Sequence, residues 1–181
     1  MANGFLSAVG TATQTAFGRA PATDSPATAS WTHAVAGIVV MALLQVVLLV
    51  VPFAGALPEA LRAVVDFALL ALVMTAVPFV VVGAAGLLLG KQEQLPGFFL
   101  FLALVLALSQ LVGLIIGAFG ISAGTAMIGI LGYFVARAAK SLFGMGWAGA
   151  ILLGALVAVA SFAASFIFLM LPTGQAMMAA P

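Results

Sequence analysis

The chain contains no cysteine, a single histidine and very few charged residues. The absence of cysteine excludes disulfides, thiolate metal sites and cysteine nucleophiles. His33 stands alone, so it cannot build a metal centre that needs several histidines. A formal net charge of +1 provides no basic field that would attract nucleic acid. The sequence therefore predicts no metal site, no cofactor and no nucleic-acid partner.

Charge is scarce because the chain is apolar almost throughout. Charged residues make up 5% of the sequence, against about a quarter in a soluble globular domain. Hydrophobic residues make up 66%, and a fold of 181 residues cannot hide so much apolar surface from water. The sequence predicts an all-α, polytopic integral membrane protein whose main surroundings are a lipid bilayer. The abundance of Ala, Val, Gly and Leu favours a bacterial inner membrane.

Apolar stretches long enough to cross a bilayer follow one another from residue 31 to residue 172. An α-helix needs roughly 20 apolar residues to cross the hydrocarbon core. We expect a compact bundle of five transmembrane helices, with these approximate bounds: 34–53, 63–90, 97–119, 123–139 and 147–171. The fourth is the least certain to be separate, since it follows the third with only a short turn at 120–122. A re-entrant segment over 120–139 is the alternative.

The distribution of basic residues favours five crossings. With five, Arg19, Lys91, Arg137 and Lys140 lie on the side of the N-terminus, and only Arg62 lies opposite. The positive-inside rule then places the N-terminus in the cytoplasm and the C-terminus outside. A re-entrant fourth segment would remove this asymmetry.

The two ends of the chain are predicted to lie outside the bundle. Residues 1–30 are expected to form a flexible N-terminal tail, rich in Pro, Ser, Thr and Ala after residue 20. One side of a possible helix carries Phe5, Leu6, Val9, Ala16 and Phe17, so a short interfacial helix and a frayed tail are both open. Residues 173–181 are expected to be a short C-terminal tail.

Small residues recur at a spacing of four along the predicted spans. Such pairs let helix backbones approach closely in lipid, within one chain or between subunits. The predicted helix-packing positions are Gly86, Gly90, Gly113, Gly117, Gly124 and Gly154. They favour a compact bundle that also associates with other membrane subunits or with itself.

Polar side chains near the middle of the spans are a second group of candidates. Gln45, Thr75 and Gln110 fall at mid-depth, and Pro78 should leave a backbone carbonyl of its helix unpaired. These four residues could line a polar seam of a transport path. The favoured interpretation is that Gln45 and Gln110 hydrogen-bond each other or a neighbouring backbone and so hold the helices together, because no ionisable residue accompanies them.

A third group is predicted at the membrane surface. Trp31 and Trp147 begin the first and last spans, where indole rings sit at the level of the lipid headgroups. Arg62 and Asp66 are one helical turn apart and are expected to pair at the membrane edge.

The order of the spans resembles the Yip family, small five-span proteins first named as partners of Rab-type GTPases. The likeness covers residues 31–171 and includes the stretch from Tyr133 to Arg137, followed by the turn from Gly144 to Trp147. The resemblance implies a non-enzymatic membrane organiser or transport-associated protein and assigns no site residue. No nucleophile–base pair, phosphate loop or carboxylate dyad appears in the sequence. The sequence therefore predicts a non-catalytic scaffold or accessory subunit, with a small transporter or channel as the alternative.

Overall fold

A computed structural model describes residues 2–18, 29–50, 57–119 and 124–170. Over these residues the chain is helical apart from short turns. The helices are α1 (Ala2–Ala16), α2 (Trp31–Val50), α3 (Leu57–Leu88), α4 (Leu95–Ala118), α5 (Gly124–Leu142) and α6 (Trp147–Met170), with a 3-10 turn at Gln92–Gln94. The predicted C-terminal tail and residues 19–28 lie outside the described part.

Four of these helices are long and apolar enough to cross a membrane. The qualifying segments are Trp31–Leu48, Ala71–Leu88, Gln92–Ile116 and Trp147–Ile167. They confirm the prediction of a helical protein with several apolar spans. The prediction of five crossings goes further than this, because α5 does not meet the same standard. With 19 residues it is about 28 Å long, and Arg137 and Lys140 occupy its last two turns.

Helix α3 begins at Leu57, before the predicted second span, which was expected from about residue 63. The short polar gap expected after the first span, with Pro58, Glu59 and Arg62, thus falls in the first turns of α3. Proline is tolerated in the first turn of a helix, where its missing N–H has no partner to lose. The proline therefore starts the helix instead of separating it from the preceding loop.

Helices α2 to α6 alternate in direction. One end of the bundle therefore contains the starts of α2, α4 and α6 and the ends of α3 and α5. The Trp31 ring at the start of α2 meets Phe99 at the start of α4, with ring centroids 5.7 Å apart. Phe98 of α4 meets Phe143, which follows α5, at 4.8 Å. We call this end the basic–aromatic end, defined by Trp31, Lys91, Arg137, Lys140 and Trp147.

Two tight turns at this end depend on glycine. Gly90 and Gly144 both have a φ of +66°, a left-handed conformation that other residues rarely adopt. At the end of α3, Lys91 N–H donates to the Gly86 carbonyl and Gly90 N–H donates to the Leu87 carbonyl. This pattern is a Schellman cap, which satisfies the last carbonyls of the helix. Gly90, predicted as a packing residue, therefore serves to end α3.

Helix α4 is the centre of the bundle, and α1 covers part of it. The first half of α4 is buried on all sides, including Phe98, Phe101 and Leu102, whereas Leu114 and Ile115 in its second half are exposed. Helix α1 packs against α4 and α5. Its contact face contains Ala8, Ala12 and Ala16, all buried, and small residues at this spacing allow close approach.

Residues 2–16 thus form a packed helix, and the frayed-tail interpretation does not hold for them. Of its three buried alanines, the sequence prediction named Ala16 but not Ala8 or Ala12. At about 22 Å, α1 is too short to cross a hydrocarbon core of about 30 Å.

Candidate functional site

The predicted polar seam is partly assembled, as a hydrogen bond between α2 and α3. The hydroxyl of Thr75 donates to Oε1 of Gln45 at 3.0 Å in a half-buried position. Pro78 lies one turn further along α3 and is fully buried. Because Pro78 has no N–H, a carbonyl one turn before it loses its helical partner. Because the Thr75 hydroxyl donates to Gln45, it does not donate to that carbonyl.

Gln110 lies on α4, which contacts both α2 and α3. Its side chain is half-buried. Among the described residues no hydrogen bond joins Gln110 to Gln45 or Thr75. Its neighbour Ser109 donates to the Val105 carbonyl at 2.8 Å, within its own helix. The structure therefore brings two of the four seam residues into direct contact, with Pro78 one turn away.

The closest helix packing occurs where Gly132 of α5 faces Gly154 of α6. A Cβ atom placed on Gly132 would lie 2.9 Å from the Gly154 carbonyl oxygen and 3.1 Å from Cβ of Ala158. A Cβ on Gly154 would lie 2.9 Å from Cβ of Ala136 and would overlap the Gly132 carbonyl oxygen. Neither position can accept a side chain without a shift of backbone. The pairing of α5 with α6 therefore depends on both glycines.

Glycine spacing within one helix did not reveal this contact. Gly154 was predicted as a packing residue, but Gly132 is its partner across the helix pair. Gly37 was not predicted as a packing residue, although a Cβ there would come within 2.8 Å of the Leu100 side chain. Because a motif within one helix does not specify the opposing face, no sequence signal links these residues.

The other predicted packing glycines differ from one another. A Cβ on Gly86 would lie 2.5 Å from Cδ2 of Leu95 and 3.2 Å from the Phe143 ring, so Gly86 is closely packed. A Cβ on Gly113 would meet nothing within 4 Å, and the same is true of Gly90. The surroundings of Gly117 and Gly124 lie outside the described part, as do the side chains of Arg62 and Asp66.

Aromatic and basic side chains interlock at the basic–aromatic end. Lys140 Nζ lies 4.0 Å from the centre of the Trp147 ring, and the Arg137 guanidinium carbon lies 5.7 Å from it. Both tryptophans remain about half exposed. An amphipathic ring beside a cation suits the polar boundary of a bilayer.

Arg137 also connects α5 with the end of α1. Its Nη2 donates to the Phe17 carbonyl at 3.2 Å. The Phe17 ring makes edge contacts with Phe101 and Phe134, at 6.1 and 5.9 Å between centroids. Together, Thr13, Gln14, Phe17 and Arg137 line a partly open cleft of about 420 Å³.

Two further polar residues are His33, which has a local structural role, and Ser161, to which no role is assigned. His33 and Ser30 form a reciprocal cap at the start of α2: the His33 N–H donates to Ser30 Oγ at 3.4 Å, and the Ser30 N–H donates to Nδ1 at 3.3 Å. Ser161 on α6 is fully buried, and its hydroxyl has no hydrogen-bond partner in the described structure.

The described residues contain no group of three His, Asp or Glu side chains able to hold a metal ion. Comparisons with protein families, curated proteins and solved structures found no match to this chain. The resemblance to the Yip family accordingly stays a prediction.

Proposed function

We propose that the protein is a non-catalytic integral membrane protein, acting as a scaffold or accessory subunit of a larger bacterial inner-membrane assembly. The observation that carries this proposal is the hydrogen bond between Thr75 and Gln45. It joins two apolar helices at mid-depth, which is how polar side chains hold membrane helices together. A transport path needs polar groups free to exchange partners with a substrate.

The outer surface of the bundle supports a role in association. The described parts of α2 and α6 expose rows of large apolar side chains: Val35, Val39, Val40, Leu43, Val46 and Val47 on α2, and Ile151, Leu152, Leu156, Val159, Phe162 and Phe166 on α6. Lipid covers such faces, and so do neighbouring membrane subunits. We propose that part of this surface receives another subunit or a second copy of the chain.

We further propose five crossings, with the N-terminus in the cytoplasm and the C-terminus outside. Two observations support this topology. The end of α5 lies beside the start of α4, through Phe143 and Phe98. Lys91, Arg137 and Lys140 consequently share one end of the bundle, the bias expected of a cytoplasmic face. A re-entrant α5 would return its basic end to the opposite face.

The proposal is tested by extracting the chain from native membranes with its surrounding lipid, using an amphipathic copolymer. The protein mass of the resulting particle is then measured. We expect a protein mass larger than one chain of 18.2 kDa, with a second polypeptide or a second copy present. A particle that contains one chain and lipid alone would contradict the scaffold assignment.

A small transporter or channel is the second candidate, and Pro78 is the observation that favours it. A fully buried proline within α3 frees a backbone carbonyl beside Thr75. The double substitution Gln45→Leu and Gln110→Leu distinguishes the two functions. Loss of flux in reconstituted vesicles would favour transport. Absence of flux in the native protein, with assembly unchanged in the variant, would favour the scaffold.

A further inference from the structure

The cleft between α1 and α5 has the features of an anion site. Among the described residues that line it, Arg137 is the one cation, and it lies beside Thr13 and Phe17. Within the described residues no carboxylate lies within ion-pair distance of Arg137 or Lys140. Among the acidic side chains, the structure describes only Glu93, which is exposed in the turn before α4.

Arg137 has hydrogen-bonding capacity left over. A guanidinium carries five N–H donors in a rigid fork, and one nitrogen is used on the Phe17 carbonyl. Nε is buried and has no partner among the described residues. Because Nε is enclosed, a ligand in the cleft would meet the outer nitrogens of the guanidinium, whose remaining N–H groups make no hydrogen bond among the described residues. Phosphate and carboxylate match the guanidinium fork.

The position of the cleft identifies which anion would reach it. It lies at the basic–aromatic end, where Trp147 remains half exposed and Lys140 adds a second positive charge one turn from Arg137. Anionic lipid headgroups lie at this level, and basic pockets between helices on the cytoplasmic side bind them. With a volume of about 420 Å³ and one side open, the cleft has room for a phosphodiester group.

We infer that this cleft binds the phosphate of an anionic phospholipid headgroup, with Arg137 as its principal ligand. Thr13 and Phe17 form the opposite wall. The Thr13 hydroxyl already donates to the Val9 carbonyl at 2.8 Å, and Gln14 is engaged in another interaction, so the charge comes from α5. Because α1 closes one side of the cleft, bound lipid would hold α1 against the bundle.

The test uses the full chain in a neutral detergent, titrated with phosphatidylglycerol and with phosphatidylcholine and followed by native mass spectrometry. We expect tighter binding of phosphatidylglycerol. Arg137→Gln should reduce that preference about tenfold, as expected for the loss of a charge-assisted hydrogen bond. Lys91→Gln removes one charge at the same end outside the cleft and should leave the preference unchanged.

Arg137→Gln could also release α1, since Arg137 holds the Phe17 carbonyl. Thr13→Leu keeps that bond and fills the cleft, so it should weaken phosphatidylglycerol binding while α1 stays protected from protease. Wild-type preference in both variants would overturn the inference. Equal weakening by Lys91→Gln would also overturn it, because general surface charge would then suffice.

A titration with inorganic phosphate separates the two sources of the anion. Phosphate binding that depends on Arg137, without preference for anionic lipid, would assign a free anion and overturn the lipid site. The inference rests on the proposed topology but not on the scaffold proposal. A chain that copurifies with a partner but shows no phosphatidylglycerol preference would contradict the inference alone.

Discussion

Gly132 and Gly154 bring the backbones of α5 and α6 into direct contact. The carbonyl oxygen of each glycine occupies the space that a Cβ on the other would need. Helices in lipid gain little from excluding water, so this close approach supplies much of their attraction. The contact also fixes the position of α5, the helix that carries Arg137 and Lys140.

Gly154→Leu is predicted to destabilise the bundle. A side chain at 154 would overlap the Gly132 carbonyl and crowd Ala136. Overpacking of this kind costs about 1–3 kcal/mol of unfolding free energy. Reversible unfolding in mixed micelles would measure it. Gly113→Leu is the matched control, because its Cβ meets nothing within 4 Å. Equal stability of the two variants would contradict the assigned packing.

Thr75 and Gln45 are predicted to be energetically coupled. Their hydrogen bond spans α2 and α3 at 3.0 Å. In a double-mutant cycle with Thr75→Val and Gln45→Leu, we expect a coupling of about 0.6 kcal/mol, the average for such bonds in lipid, and no more than about 1.7 kcal/mol. Unfolding of the four proteins of the cycle gives the value. Gln110→Leu combined with Thr75→Val is the control and should be additive. No coupling between positions 45 and 75 would show that the bond contributes nothing.

Phe17→Ala is predicted to loosen α1. The ring contacts Phe101 and Phe134 edge-on, and each aromatic pair contributes about 0.5–1.5 kcal/mol. We expect faster amide exchange over residues 2–16, with α4 and α6 unaffected. Leu6→Ala is the control, because Leu6 is 67% exposed. Equal exchange in the two variants would mean that Phe17 does not hold α1 in place.

The proposed topology can be mapped with single cysteines, since the natural chain has none. Glu93→Cys and Gly146→Cys place thiols at exposed positions before α4 and before α6. Both should react with an impermeant maleimide only after the inner membrane is permeabilised. Phe119→Cys, at the far end of α4 and 78% exposed, should react from the outside without it. Labelling of 93 and 146 from opposite sides would rule out a crossing by α5.

Helix positions were predicted well where polar residues interrupt long apolar runs. The turn around Lys91 and the glycines before Trp147 separate α3 from α4 and α5 from α6. Two errors arose where a cue had two meanings. Pro58 was assigned to the border of a polar gap between two spans and lies in the first turn of α3, and Gly90 was interpreted as a packing residue and ends that helix. A single residue type does not distinguish these roles until the path of the backbone is known.

The candidate sites were less predictable. Gln45 and Thr75 were both identified, but their pairing with each other in preference to Gln110 depends on how α2 and α3 face one another. The cleft at Arg137 was not predicted, because Thr13 and Phe17 are more than a hundred residues away in the chain. Contacts at such separation have no local signal.

The sequence by itself determined that this protein is helical and suited to a lipid environment, because apolar run length and scarcity of charge act residue by residue. Only the tertiary structure decided that Gly132 meets Gly154, that Thr75 bonds Gln45 and that α1 covers the first half of α4. In a chain whose helices are nearly uniformly apolar, every face is a permissible contact face. Steric fit between particular small residues then selects the arrangement, and that fit exists only after the helices are assembled.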